Sequence, residues 1–383
     1  MTQQTGATFD FPFITAQFAI AGGVQAVAPH GSGHIHDTFR VQPAQAGQPG
    51  YLLQRINHHV FKNVPALMEN IRQVTDYLRK QVAARRGSHP DKEVLTLIPT
   101  RSGQDYYTDA AGNYWRMFLF LDDTCCYDLV ETPQQAYEGG KAFGRFQALL
   151  TDFPVEQLHD TIPDFHNVQS RLQLFRAALA RDPLGRAGEV AAEIAFIEDR
   201  AAVMGLIHHL GKSGQLPLRI THNDTKFNNV LLDKDQRAQC VIDLDTVMPG
   251  YVAFDFGDAI RTTVNTAAED EADPEKISVN MDLFTGFTAG FLAETGPLLS
   301  DNEIASLAPG VLLLPYIMGV RFLTDYIEGD HYYKIHFPGH NLQRARAQLS
   351  LVQKLEIQYE RMEHIIQDIA RAKRAPAVNP FNA

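Results

Sequence analysis

The sequence predicts an α+β fold in two lobes: a small antiparallel-sheet lobe, then a larger, mainly helical one. Three observations carry this. Between residues 24 and 121, short apolar runs and glycine- or proline-bearing turns surround a single long helical pattern. Beyond residue 127, apolar residues recur at steps of three and four. One short hairpin, within residues 221–250, interrupts the helical part and gathers carboxylates at its open end. The 383 residues suffice for two lobes with separate cores, and 45% hydrophobic with 21% charged residues is ordinary for a globular chain.

Residues 10–21, with Phe13, Phe18 and Ile20, read as a short helix. From Val24 the pattern turns to strand: 26–29 and 38–41 flank Gly31-Ser-Gly33-His34-Ile-His36, and 51–56 follows. Gly31 and Gly33 could bring backbone amides to a phosphate, although an isolated G-x-G is more often a plain turn needing positive φ. Residues 61–86 form a helix on Val64, Leu67, Met68, Ile71, Val74, Leu78 and Val82, ended by 87–90. Strands at 95–99 and 115–121 flank the turn 109–113. This sets a nucleotide-binding lobe at 1–121, a hinge at 122–127 and a catalytic and substrate lobe at 128–383. Helical patterns there cover 133–153, 165–180, 189–209, 277–291, 304–327 and 344 to about 374. The last, on Leu349, Val352, Leu355, Tyr359, Met362, Ile366 and Ile369, is expected to pack on the large lobe rather than form a coiled coil. The tail after Ala375 is expected to be loose.

A net charge of −11 without a basic patch argues against nucleic-acid binding. Cys125, Cys126 and Cys240 have neither disulfide nor zinc spacing. The pairs His34/His36, His58/His59 and His208/His209 lack a further ligand at fixed spacing. No signal peptide and no run of 18 apolar residues is evident, so no membrane span and a cytoplasmic setting are expected.

The chemistry concentrates in T-H-N-D-T-K-F-N-N-V-L-L-D-K-D-Q-R-A-Q-C-V-I-D-L-D-T-V-M-P-G. The apolar runs 230–232 and 240–242 flank a polar connection. A hairpin folded about Gln236 sets Asn229 across from Asp243, with Asp224 in the entry loop and Asp245 past the exit. An amide beside a carboxylate suits magnesium, and a second carboxylate suits a base that accepts a hydroxyl proton. That is the plan of phosphoryl transfer, and sheet lobe, hinge and helical lobe are the arrangement of a two-lobed kinase with its ligand in the cleft. Carboxylates after a buried strand are commonly caps, but two facing Asn229 favour metal. His222 is expected to tie its loop down. Asp255-Phe256-Gly257 spells a kinase metal motif away from the hairpin's end, so Asp255 is expected to brace the catalytic loop instead.

His222-Asn-Asp224-Thr-Lys-Phe-Asn-Asn229 resembles the H-x-D-x-x-x-x-N signature of the aminoglycoside phosphotransferase and choline kinase superfamily, and Ile242-Asp243-Leu-Asp245 its second metal-binding segment. Gly33-His34-Ile35 and the blocks 221–229, 242–250, 254–261, 321–330 and 340–342 are similar to the bacterial N-acetylhexosamine 1-kinases. The resemblance implies a protein-kinase-like fold and ATP with Mg2+. Asp224 would be the base, with Lys226 stabilising the transferring group and Asn229, Asp243 and Asp245 serving the metal. The acceptor would be the anomeric hydroxyl of N-acetylglucosamine or N-acetylgalactosamine. It further implies sugar contacts from Thr246 and Arg321, with His34 reaching sugar or phosphate. Arg321 lies in the apolar stretch 312–327 and is expected to point into the cleft rather than pair with Asp325 or Asp330. One departure stands out: strand 51–56 reads Y-L-L-Q-R-I and has no lysine, so Arg55 is the candidate for the nucleotide phosphates.

Two alternatives stay open. One is a kinase of another hydroxylated small molecule, of aminoglycoside, choline or homoserine type. A cationic acceptor would need acids in its pocket, and residues 267–275 are acidic but expected to face water. The other is a non-catalytic nucleotide sensor, supported only by the missing lysine.

Overall fold

The structure, a computed structural model, describes residues 9–31 and 35–374. Gly33, His34 and the expected loose tail after Ala375 lie outside the described residues. The chain divides into two compact units, residues 1–124 and 125–383.

In the first unit, α1 (Phe11–Thr15) precedes β1 (Val24–Pro29), β2 (Asp37–Pro43) and β3 (Tyr51–Ile56). Then come α2 (Val64–Ala83), α3 (Pro90–Glu93), β4 (Leu97–Ile98), β5 (Tyr107–Thr108) and β6 (Tyr114–Leu119). The strands make one antiparallel sheet in the order β1-β2-β3-β6-β4, with β5 also on β6. Its core joins Ile14, Phe18, Val41, Tyr51, Leu53, Trp115 and Met117. The expected helix at 10–21 stops at Thr15, because Phe18 instead pairs with Thr100 as an isolated bridge. Asn63 caps α2 by accepting the Ala66 N–H, and Pro65 follows in its first turn.

The second unit holds α4 (Pro133–Leu149), α5 (Val168–Arg181), α6 (Ala191–Met204) and α7 (Leu206–Lys212). Strands β7 (Arg219–Thr221), β8 (Val230–Leu232), β9 (Ala238–Val241) and β10 (Met248–Gly250) follow. Helices α8 (Val252–Thr263), α9 (Met281–Thr295), α10 (Asp301–Glu328) and α11 (His340–Arg374) complete it. The helix expected over 189–209 is broken at Gly205 into α6 and α7. That expected over 277–291 begins at Met281, where Asn280 accepts the Asp282 and Leu283 N–H groups.

Glycines let the core helices approach one another. A Cβ on Gly140 of α4 would lie 2.1 Å from the Phe287 carbonyl oxygen, and one on Gly290 of α9 would lie 2.0 Å from that of Tyr137. Helix α10 is long and apolar enough to cross a membrane by length and composition. Its most apolar window is 78% buried within the unit, the environment of a core helix. Helix α11 buries Ala345, Leu349, Val352, Leu355, Met362 and Ile366 in the helical cores and so packs on the unit, as its spacing implied.

Candidate active site

Two strand pairs frame the site. β7 and β10 are antiparallel, with Thr221 opposite Met248; β8 and β9 form the hairpin, with Val230 opposite Val241. Gln236, at φ 60°, turns the hairpin, and Ile242 N–H donates to the Asn229 carbonyl at 2.9 Å, so Ile242 lies across from Asn229 and Asp243, expected there, is the next residue along. The stretches 222–229 and 242–247 therefore run side by side. His222 Nδ1 accepts the Asp224 N–H at 3.3 Å, so Nε2 carries the proton and donates to the Ile242 carbonyl at 2.9 Å. The Thr246 hydroxyl donates to the His222 carbonyl at 2.7 Å, and Asn223 Nδ2 to the Thr246 carbonyl at 2.9 Å. His222 is fully buried against Phe143 and Phe146, the tie-down role its position implied.

Behind the loop stands Asp255, 1% exposed. It accepts the His222 N–H at 2.9 Å, the Asn223 N–H at 2.7 Å and the Gln147 side-chain amide at 2.6 Å. Burial pushes its carboxyl up, and His222 with these donors recovers only part of that. Phe256 fills the core, and Gly257 lets α10 approach. The D-F-G triplet is thus structural, and Asp255 braces the loop at 222–223 as expected.

Asp224 and Lys226 meet at 3.0 Å. Asn229 Nδ2 donates to the Asp224 carbonyl at 2.8 Å and to its carboxylate at 3.3 Å, and the Asn229 amide oxygen accepts no hydrogen bond among the described residues. Desolvation raises the Asp224 carboxyl, but the charge of Lys226 and its hydrogen bond outweigh it, leaving the group below the usual carboxylate range. Asp224 in turn raises Lys226 above the ordinary lysine value. Asn223 (φ 63°) and Asp243 (φ 61°) both sit in the left-handed region, a conformation costly for most side chains and tolerated best by Asn and Asp. Asp243 is exposed, whereas Asp245 is 2% exposed and its backbone carbonyl accepts the Thr161 hydroxyl. Oxygen donors of this kind fit a hard divalent cation.

Arg321 is half-buried, its guanidinium 5.3–5.9 Å from the ring centres of Phe165, Tyr332 and Tyr333. No carboxylate among the described residues pairs with it. Asp325 accepts the N–H groups of His331, Tyr332 and Tyr333, and Asp330 pairs with Arg186. Gly31 has φ +76° with open space around it, as a turn requires. Arg55 is committed to Asp37 and Asn113 and lies over Phe9. The cation that meets Gln54 is Arg116, opposite it on β6, 2% exposed and donating at 2.9 Å. The acidic stretch 267–275 faces solvent along most of its length, as expected, and from it Glu269 pairs with Arg261 and Asp270 with His340. Asp258, Arg261, Gln147 and His166 had no motif to mark them. The spacing 255/258/261, which sets all three side chains on one face of α8, is the one signal that could have found the first two.

The sequence profile of the phosphotransferase enzyme family (aminoglycoside phosphotransferases) matches residues 26–278, more than half of the chain, and the chain belongs to that family. Solved structures of phosphotransferases and kinases share its fold. An aminoglycoside phosphotransferase from Alicyclobacillus acidocaldarius superposes with a TM-score of 0.59 at 13% identity, covering 97% of this chain and 98% of the other. A microcompartment-associated aminopropanol kinase gives 0.59 at 16%, covering 92% and 97%. The amicoumacin kinase hAmiN, in complex with AMP-PNP and Ca2+, gives 0.56 at 12%, covering 90% and 94%.

Proposed function

We propose that the chain transfers the γ-phosphoryl group of ATP to the anomeric hydroxyl of an N-acetylhexosamine, giving the sugar 1-phosphate and ADP. The observation that carries this reading is the cluster of Asp224, Lys226 and Asn229, with Asp243 across the hairpin. Asp224 accepts the proton of the attacking hydroxyl as its oxygen bonds to the γ-phosphorus and the bond to the ADP oxygen breaks. Its carboxyl stays ionised because Lys226 holds it down. Lys226 also neutralises charge on the transferring group. Asn229 and Asp243 would hold magnesium, with Asp245 the further candidate. When bound, magnesium neutralises charge on the β- and γ-phosphates. Gly31 and Gly33 in the β1–β2 connection, and Arg55, are the proposed nucleotide contacts in the first unit.

His34, Thr246 and Arg321 are the proposed sugar contacts. Thr246 gives its proton to His222 and so can offer a sugar only its lone pairs. Arg321 supports a neutral acceptor over the cationic ones. Aminopropanol, the acceptor named for one structural neighbour, is a cation, and a guanidinium without a paired carboxylate would repel it. The test is a panel of N-acetylhexosamines, glucose, galactose and cationic acceptors with ATP and magnesium, with the phosphorylated position read by phosphorus NMR. Turnover of an N-acetylhexosamine to its 1-phosphate is expected, and Asp224→Asn should lower kcat by about 10²–10⁴ while nucleotide binding stays intact. Turnover of cationic acceptors alone would overturn the sugar assignment, and an undiminished Asp224→Asn variant the base.

A further inference from the structure

The acidic stretch between α8 and α9 plays no part in the reaction as described, yet two of its carboxylates, with side chains still 44% and 43% exposed, pair with buried partners. Asp270 accepts the Nε2 proton of His340, which is fully buried at the start of α11, at 2.9 Å. The assignment follows because His340 Nδ1 already accepts the His336 N–H. Gln343 also donates to the Asp270 backbone carbonyl at 2.5 Å, so the segment is pinned at that residue. One residue earlier, Glu269 accepts from Arg261 Nη1 at 2.8 Å. Arg261 is 4% exposed, and its Nε and Nη2 both donate to Asp258 Oδ1, at 3.1 and 3.0 Å. The second oxygen of Asp258 accepts the Thr225 N–H at 2.9 Å. Thr225 is the residue between Asp224 and Lys226.

We propose that Glu269 is a positioning residue for phosphoryl transfer: the outer end of a chain, Glu269–Arg261–Asp258–Thr225, that fixes the peptide carrying the base and its lysine. The catalytic part of this rests on the reading of Asp224 as base. A buried guanidinium requires carboxylate partners on both sides of its fork. With Glu269 in place, Asp258, Arg261 and Glu269 together carry one net negative charge, which sits against Lys226. Without Glu269 that charge is lost, and the freed edge of Arg261 has the Asp224 carboxylate, on which its field already acts, as its next anionic partner. Asp258 would then turn with Arg261 and release the Thr225 N–H. The same field reaches Lys226, whose ammonium is held up first by Asp224 and then by Glu269 and Asp258.

The test uses the full chain and two measurements. In Glu269→Ala, hydrogen exchange at the Thr225 amide should rise about tenfold or more, with little change in melting temperature. In the same variant kcat should fall about tenfold, with the KM for ATP and for the sugar within about twofold, because binding is kept and alignment lost. Glu269→Gln keeps an oxygen for Arg261 and should recover the amide protection while kcat stays reduced. Wild-type exchange and wild-type kcat in Glu269→Ala would overturn the proposal. So would a loss of activity wholly matched by loss of folded protein, with Glu269→Gln indistinguishable from wild type. Should the wild-type enzyme turn over no N-acetylhexosamine, the acceptor assignment fails while the exchange at Thr225 still decides the role of Glu269.

Discussion

At the scale of single residues, the site is an arrangement in which each charged group sets the state of its neighbour. Asp224 is ionised because Lys226 lies 3.0 Å away, and Lys226 is half-exposed, with 44% of its side chain accessible, which leaves it able to follow a phosphate. Removing the lysine would leave desolvation as the main influence on Asp224 and raise its carboxyl, the wrong direction for the proposed base at low pH. Arg321 differs in kind. Its partners are ring faces and, through Nη1, the Met318 sulfur, not carboxylates, so its remaining donors are available to hydroxyl or amide oxygens. Arg321→Met should keep the apolar packing and lose the hydrogen bonds. A charged hydrogen bond is worth about 1.5–3 kcal/mol, so kcat/KM for the sugar should fall about 10–100-fold while the KM for ATP holds. Steady-state kinetics with each substrate varied separately reads this, and an unchanged sugar KM with a raised ATP KM would move Arg321 to the nucleotide.

At the scale of elements, α8 joins chemistry to packing. Its Asp255 and Asp258 hold the loop at 222–225, while Gly257 on the same helix meets α10, where a Cβ would lie 2.2 Å from the Gly310 carbonyl oxygen. Both atoms of that carbonyl are backbone, so α10 would have to move. Gly257→Ala should therefore destabilise the protein by about 1–3 kcal/mol, as overpacking does, and reduce activity through displacement of Asp255. Denaturant unfolding checks this, and an unchanged midpoint would show that the helices can separate at no cost. This element also marks the boundary of what the sequence makes legible. Periodicity exposed α2 and α11 because each has one apolar face, and the hairpin because Gln236 and its flanking runs are local. Helix α8 is buried almost all round, so no stripe distinguishes Asp258 or Arg261 from core positions. The pair β7–β10 joins three-residue strands that are 27 positions apart from Thr221 to Met248, too short and too distant to read. The acids at 269 and 270 read as a solvated run because His340, the partner of Asp270, lies 70 positions away.

At the scale of the whole molecule, the buried polar network that aligns the site also makes its stability depend on pH. His166 is 7% exposed, donates from Nε2 to the Asn223 carbonyl at 3.1 Å, and has a buried Nδ1 with no partner among the described residues. Burial lowers it from 6.5 to about 4; Asp258 opposes this, whereas Arg321 and Arg171 add to it. Between those values the unfolded chain binds a proton that the folded chain does not, so stability is full above about pH 6.5 and declines as pH falls towards 4. At about 1.4 kcal/mol per pH unit, the decline attributable to this histidine is about 3 kcal/mol over the window. The carboxylates held down by partners, Asp224, Glu269 and Glu303, act lower, since each loses its contribution only as pH falls from the ordinary carboxylate range through its own depressed value. The two regimes are therefore separable. His208, half-buried and also lowered, slopes in the same direction, so the informative quantity is the difference between variants. His166→Gln keeps an amide donor for the Asn223 carbonyl and removes the titration. Its melting temperature should be less sensitive to pH between 7 and 5 than that of the wild type, by about 4 °C over that span. Parallel curves for the two proteins over pH 5–7 would show that the histidine titrates in the folded chain as it does in the unfolded one, and would overturn the assignment.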